Sequence, residues 1–498
     1  LVRDRLWAGT LGGSLILDAF LVAFAVPNLL RNLFGEGALS AAFIPRYVQQ
    51  RERDPAAAER FAGAVLTRMA IGLSLLAGVG LAVASGLLLF GAGKPVVVAA
   101  MALPQIPFLI FICIVAVMAG MLNGRRHFWV PAAAPVVLNV CLIATVWMEP
   151  EQEAWVLPYA VLAAGILQVL MHAWALNRTG GVPPVTVAST PELREMRSAL
   201  IPAVVASSVY QINALLDSVI AMAFIPGAGA VSFLYFGNRL LQFPMALIGH
   251  GITTAAYPEL ARRAGEGWPA TGVGIREASR LQSFWLLPSA VGLLVAAEPL
   301  VRTIYQTGSF SADGVARTIL VTQMLALALV PITLSKLMVR GFHARRDQRT
   351  PMIVSLGMVA LNLALNLVLV RTPLREAGLA LATAISSLVG CLVYVVLLKR
   401  LGAGVVIELS GIIRPTIAAV AMGAVVIGFL HWWPQPEGRG SGIAALRLAS
   451  VVALGGGAYL LFTGTGWLRR PRTAASGSAP VGGDDQPPTD SRDTQLRP

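Results

Sequence analysis

Charge is scarce in this chain. Only 13% of its 498 residues are Asp, Glu, Lys or Arg, against about 25% in a soluble domain. Lysine is nearly missing, with Lys94, Lys336 and Lys399 alone among 38 basic residues. A solvated globule is therefore excluded. The alternating segments of an outer-membrane barrel are absent too. Cys113, Cys141 and Cys391 lie singly inside apolar runs. That spacing suits neither a disulfide framework nor a metal, and packing roles are expected. No HExxH, GxSxG or P-loop pattern occurs, and no nucleophile, base and orienter set stands out, so an enzyme is not expected. His127, His343 and His431 fall near helix ends, and His172 and His250 are isolated, so they suggest no metal. No secretory signal peptide is expected.

What is abundant is apolar residue: 56% of the chain, with a mean hydropathy of +0.71. The expected fold class is an all-α polytopic membrane protein. Apolar runs of about 20 residues read as spanning helices. They fall at 18–46, 62–91, 97–122, 128–148, 153–175, 196–224, 229–260, 279–303, 315–341, 351–371, 376–399, 409–432 and 443–465. A truncated first helix carries Arg3 and Asp4, which makes about fourteen helices. The chain opens on Leu1 rather than Met, so an upstream piece is expected.

The net charge of +13 could signal a nucleic acid. Here the Arg residues are spread over alternate short connections, and topology explains them better, so no nucleic-acid partner is expected. The Arg-rich set runs from Arg46–Arg60 through Arg125-Arg126, Arg178–Arg197, Arg262–Arg280 and Arg340–Arg349 to Lys399-Arg400 and Arg469 onward. The positive-inside rule puts these connections and both termini in the cytoplasm.

An internal repeat organises the helices. Gly37-Ala-Leu-Ser-Ala-Ala-Phe-Ile-Pro45 parallels His250-Gly-Ile-Thr-Thr-Ala-Ala-Tyr-Pro258, and Arg125-Arg…Pro131 parallels Arg345-Arg…Pro351. Two parallel six-helix lobes follow, over 1–190 and 191–402, a plan that puts a substrate site between them. Two extra helices occupy 403–468, and the Pro-, Gly-, Ser- and Asp-rich tail 469–498 is expected to be a disordered cytoplasmic tail.

Residues 18–46 are the oddest stretch. They are apolar enough for a membrane, yet hold Asp18, Arg31 and Glu36, with Pro27, Gly35 and Gly37 as breakers. Charges at depth cost roughly 2.5–3.5 kcal/mol each and usually face a wet cavity or a partner. Broken helix at depth is tolerated only where protein or water satisfies the freed backbone. A broken helix lining an aqueous cavity is one reading; an interfacial helix end with Arg31 snorkelling is the other. Arg239, in Leu234-Tyr-Phe-Gly-Asn-Arg-Leu-Leu-Gln-Phe-Pro244, is related to Arg31 in position, and Arg3 lies on the first helix. Three guanidiniums from two lobes could converge on one anion, since the planar fork binds phosphate bidentately and stays charged. Each could instead pair with Asp4, Asp18 or Glu36.

A second constellation is built of oxygens. Asp217 sits within the seventh helix, Asn362 and Asn366 share a face of the eleventh, and Thr383 lies on the twelfth. Such donors suit a hard cation such as sodium. They suit ordinary interhelical hydrogen bonding equally.

These residues carry a family resemblance. Asp18-Ala-Phe…Pro27-Asn-Leu-Leu-Arg31…Glu36-Gly-Ala…Ser40…Ala42-Phe-Ile-Pro45 is similar to the signature of the MurJ (MviN) lipid II flippases, within the multidrug, oligosaccharidyl-lipid and polysaccharide exporter superfamily. Leu122-Asn123, Pro131, Asn139, Asn238-Arg239-Leu, Phe243-Pro244 and Gly341-Phe-His-Ala-Arg-Arg-Asp347 with Thr350-Pro351 support it, so the match covers nearly all but the tail. The resemblance implies alternating access around a cationic cavity, with the last two helices lining a groove for a polyprenyl tail. It implies substrate binding by Arg3, Arg31, Arg239 and Asp18, a gate or structural role for Asp4 and Glu36, and a sodium site at Asp217, Asn362, Asn366 and Thr383. Family members carry a further functional Arg upstream of the first residue here. The implied partners are lipid II (the undecaprenyl-pyrophosphate-linked disaccharide-pentapeptide), membrane lipids and the cell-wall synthesis machinery. The expected function is flipping of that precursor from the inner to the outer leaflet of the bacterial cytoplasmic membrane. The alternatives are an exporter of another polyprenyl-linked oligosaccharide or of a drug, a membrane-embedded glycolipid transferase, or a lipid-binding scaffold. A drug exporter should have an acidic cavity and a transferase a clustered acidic or metal motif.

Overall fold

The computed structural model describes residues 1–35, 38–148, 150–188, 191–434 and 442–464. Glu36 and the tail 469–498 lie outside them. In a membrane the backbone must satisfy its own hydrogen bonds, and long apolar runs do so as helices; no strand occurs among the described residues. In chain order the helices are α1 (Val2–Thr10), α2 (Leu15–Gly35), α3 (Ala38–Arg53), α4 (Pro55–Phe90), α5 (Lys94–Gln105), α6 (Phe108–Gly124), α7 (Trp129–Ala144), α8 (Pro150–Arg178) and α9 (Pro191–Phe224). After them come α10 (Ala230–Pro244), α11 (Gly251–Ala264), α12 (Trp268–Val295), α13 (Ala297–Tyr305), α14 (Ala312–Ala344), α15 (Arg349–Leu369), α16 (Glu376–Arg400), α17 (Leu409–Trp432) and α18 (Gly442–Thr463).

Among the described residues nine helices are long and apolar enough to cross a membrane, or up to eleven when the bent pairs α5–α6 (42°) and α12–α13 (71°) each count as one span. The expected fourteen are not reached by this measure among the described residues. Helix α1 has nine residues. Within α9, the stretch Ile212–Phe224 counts as a shorter apolar helix. Between α10 and α11 a π-helical turn, Met245–His250, interrupts the α pattern. Gln282 of α12 supports that turn by donating to Gly249 O at 3.1 Å and to Thr253 Oγ1 at 2.8 Å. Pro27 does not break its helix: α2 runs through it from Leu15 to Gly35. The loss of one i→i−4 bond is tolerated there, and the expected break of the 18–46 stretch falls instead between α2, which ends at Gly35, and α3, which starts at Ala38.

The internal repeat is visible in the packing. Helix α6 packs on α3, α4 and α8, and α14 packs in the same way on α11, α12 and α16. Without a hydrophobic drive in lipid, close packing and small residues hold such bundles. A Cβ on Gly120 of α6 would lie 3.1 Å from Phe43, and one on Gly341 of α14 would lie 2.6 Å from Ile275. The repeated Arg-Arg pairs end α6 and α14 alike. Arg126 and Arg346 take left-handed φ values of 60° and 61°. His127 N–H donates to Leu122 O at 2.8 Å and Asp347 N–H to Phe342 O at 3.0 Å. Outside the repeat, α17 packs on α12 and α18 on α17. Leu75, Leu76, Val79 and Val83 on α4 are exposed, as a lipid-facing stripe requires.

At the Arg-poor end the two bundles touch closely. Ser309 N–H donates to Gly9 O at 2.7 Å, joining the α13–α14 turn to α1. A Cβ on Gly308, at φ +52°, would stand 1.9 Å from that same Gly9 oxygen.

Candidate functional site

A cavity of about 650 Å³ is walled by α1, α2, α6, α7 and α8, with Arg239 of α10 reaching it from the second half; its lining includes Arg3, Asp4, Asn28, Arg31, Gln168 and His172. All three arginines singled out in the sequence thus face one space. Helix α1 presents Arg3 one turn before buried Trp7, and the guanidinium lies over that ring, 4.5 Å from its centroid. Helix α10 presents Arg239 one turn after Tyr235, with its guanidinium 4.8 Å from that ring. Aromatic faces of this kind attract cations and fix their position.

Tyr235 is a hub that composition alone did not mark. Its hydroxyl donates to Asp4 Oδ1 at 2.7 Å and accepts from Arg239 at 2.9 Å and from Arg3. Arg3 donates to Asp4 Oδ1 at 2.8 Å, and Arg239 Nε lies 3.5 Å from Asp4 Oδ2. One carboxylate therefore serves two guanidiniums. Helix α2 brings Arg31, whose Nε and terminal nitrogen donate to Asn28 Oδ1 at 3.2 and 3.1 Å. Among the charged side chains lining the cavity, three are guanidiniums and one is a carboxylate. The surplus positive charge favours an anion, and the forked donors suit a phosphate.

Asp18 stands elsewhere. It is 2% exposed and is not among the lining residues. Its Oδ2 accepts from Gly229 N–H at 2.7 Å, and its Oδ1 from the Ser232 N–H at 2.8 Å and hydroxyl at 2.6 Å. Those donors form the N-terminus of α10, whose first N–H groups have no helical acceptor and whose dipole favours an anion. Asp18 of one bundle therefore caps a helix of the other, and the geometry gives it no contact with the cavity. Beside this joint, Arg317 grips buried Glu376 through two bonds of 2.6 and 2.9 Å and lies 4.7 Å from the centroid of Phe233.

The oxygen constellation also comes together. Asn366 Nδ2 donates to Asp217 Oδ1 at 2.6 Å and to Asn362 Oδ1 at 2.8 Å, and Asn362 Nδ2 lies 3.3 Å from Thr383 Oγ1. The Asn362 amide atom facing the cluster also approaches Asp217 Oδ1 at 3.3 Å and Asn213 Oδ1 at 3.0 Å. With its nitrogen turned there the amide donates to both. With its oxygen turned there it accepts from Asn366 Nδ2 and stands close to the Asp217 and Asn213 oxygens. Asn366 Oδ1 is buried with no partner, which leaves an acceptor to spare. This donor set fits a hard cation. Asn213 escaped notice in the sequence although it shares a helical face with Asp217, four residues on.

Membrane-length apolar helices that carry a cationic cavity place the protein in the class of multi-pass membrane transporters. Residues 7–441 match the family model of lipid II flippase MurJ, and the chain belongs to that family. It is 32% identical over 453 residues to the lipid II flippase MurJ of Burkholderia cenocepacia, covering 87% of this chain and 86% of that one. It is 33% identical over 488 residues to the probable lipid II flippase MurJ of Rhizobium meliloti, covering 91% and 88%. In fold it is similar to a lipid II flippase MurJ in an inward closed conformation, with a TM-score of 0.77 and 22% identity over 93% of this chain and 95% of that one. An inward-facing multidrug resistance MATE family transporter matches with a TM-score of 0.70 and 17% identity over 81% and 94%.

Proposed function

We propose that this protein moves lipid II from the inner to the outer leaflet of the bacterial cytoplasmic membrane by alternating access, as a carrier that makes and breaks no covalent bond. The observation that carries this reading is the convergence of Arg3, Arg31 and Arg239 on one cavity. A pyrophosphate unpaired in hydrocarbon is prohibitively costly, and charge-assisted bonds to the guanidiniums offset that cost. The headgroup enters from the Arg-rich, cytoplasmic side, where both termini lie, while Asp18 and the Gly9–Ser309 contact hold the opposite end shut. The two lobes, 1–190 and 191–402, then rock about the cavity, and the polyprenyl tail stays in lipid along the helices of 403–468. The inside-negative potential favours outward movement of an anion by about 2.3 kcal/mol per charge per 100 mV. Sodium held by Asp217, Asn362, Asn366 and Thr383 stabilises one state of the carrier. The function places the protein beside the cell-wall synthesis machinery.

Depletion in cells tests the reading. Lipid II is expected to accumulate in the inner leaflet, with rescue by the wild type but not by Arg31→Ala. Normal outward exposure of the precursor after depletion would sink it.

A further inference from the structure

One wall of the cavity has chemistry that the arginines do not explain. Gln168 and His172 lie one turn apart on α8, share a face, and both line the cavity. They are 1% and 0% exposed. Gln168 spends its amide nitrogen on Ala134 O of α7, at 2.7 Å. Its Oε1 is buried without a partner. His172 Nδ1 lies 2.7 Å from Gln168 O. A carbonyl can only accept, so Nδ1 carries the proton, and in the neutral ring Nε2 is then an acceptor. That Nε2 is also buried without a partner.

Two buried acceptors without a donor form a coherent pair. A buried acceptor left unmade costs free energy, and the cost is recovered when a donor arrives. An anion brings only acceptors, so this wall repels what the arginines attract. We infer that Gln168 Oε1 and His172 Nε2 form a second subsite, which binds hydroxyl or acetamido N–H donors of the sugar attached to the pyrophosphate. The inference rests on the anion reading above: with phosphate on the guanidiniums, the sugar is the next group along the ligand. The two walls then divide the labour. The arginines hold any polyprenyl pyrophosphate, and the acceptor wall tells a glycosylated one from a bare one.

The test compares two probes on the purified full-length protein in nanodiscs: undecaprenyl pyrophosphate, and the same lipid carrying the disaccharide without its peptide. His172→Leu and Gln168→Met are each expected to weaken binding of the glycosylated probe by roughly tenfold, the scale of one lost buried hydrogen bond. Binding of the bare pyrophosphate should hold steady. His172→Gln, which keeps an acceptor on a side chain of similar reach, should retain the preference. An equal loss for both probes, or no loss for the glycosylated one, overturns the subsite. Failure of the underlying reading shows in a separate arm, as undecaprenyl pyrophosphate binding that survives Arg3→Ala.

Discussion

The carboxylate of Asp18 is bonded twice by Ser232, from its backbone N–H at 2.8 Å and its hydroxyl at 2.6 Å, across 214 residues of sequence. This joint binds one bundle to the other at a single end, so any motion that parts that end must break it. Asp18→Asn turns an amide nitrogen towards N–H donors and removes the charge that the helix terminus favours. Hydrogen bonds to charged groups contribute about 1.5–3 kcal/mol, enough to shift a two-state equilibrium roughly 10–100-fold. Spin labels on α2 and α10 near the joint should show a new, longer distance in Asp18→Asn. Ser232→Ala, which keeps the backbone bonds, should shift less. An unchanged distance distribution in Asp18→Asn would show that the cap does not hold this end.

Much of the fold is legible in the sequence because membrane helices announce themselves by length. The apolar run at 409–432 coincides with α17, and the run at 376–399 stops one residue short of α16. The repeat is legible too, since the Arg-Arg turns need the same left-handed residue in each half. The cavity is less so. Arg3, Arg31 and Arg239 stand out because charge is costly in lipid. Gln168 and His172 are single polar residues in an apolar run, and only the packing of α7 on α8 decides that they face inward. Asp18 illustrates the opposite limit. Its cost in the membrane was plain, but its partners lie at the start of a helix in the other half, and no local pattern points to them.

Asp4 competes for the guanidiniums that a phosphate would occupy. It accepts from Arg3 and Tyr235 and lies 3.5 Å from Arg239 Nε. Asp4→Asn keeps the shape and removes the competing charge. Affinity for undecaprenyl pyrophosphate should rise, by roughly tenfold for each 1.4 kcal/mol of lost competition. Turnover should fall, because the carboxylate that helps displace the anion is gone. Binding measured on purified protein and flipping measured in vesicles separate the two effects. Weaker binding in Asp4→Asn would mean that the carboxylate chiefly positions Arg3 and Arg239.

Removal of sodium tests the oxygen cluster. A ligand present at 100 times its Kd stabilises the state it binds by about 2.7 kcal/mol, which raises the melting temperature by a few degrees. The wild type should melt higher in sodium chloride than in choline chloride of equal ionic strength. Asp217→Ala should abolish the difference, and Asn366→Leu should reduce it. Asn362 and Asn366 touch Asp217 directly, so a sodium response that survived both single substitutions would place the cation elsewhere.

Gly308 is the most constrained point of the closed end. Its φ of +52° lies in the left-handed region, and a Cβ there would meet the Gly9 carbonyl oxygen at 1.9 Å. That oxygen is also the acceptor of the Ser309 N–H bond, so it cannot move away without breaking the contact between α1 and the α13–α14 turn. Gly308→Ala carries the left-handed penalty of about 1–2 kcal/mol and a backbone clash in addition. The nearest relief is separation of the two bundles at this end. The melting temperature should fall, and a cysteine placed at Ser309 should react several-fold faster with a maleimide than in the parent protein, since a shift of 1 kcal/mol already changes a population about fivefold. Gly78→Ala is the control. Gly78 lies within α4 with nothing within 4 Å of an added Cβ, and alanine is the better helix former there. Equal stability and equal labelling in the two variants would show that the contact at Gly9 does not close this end of the molecule.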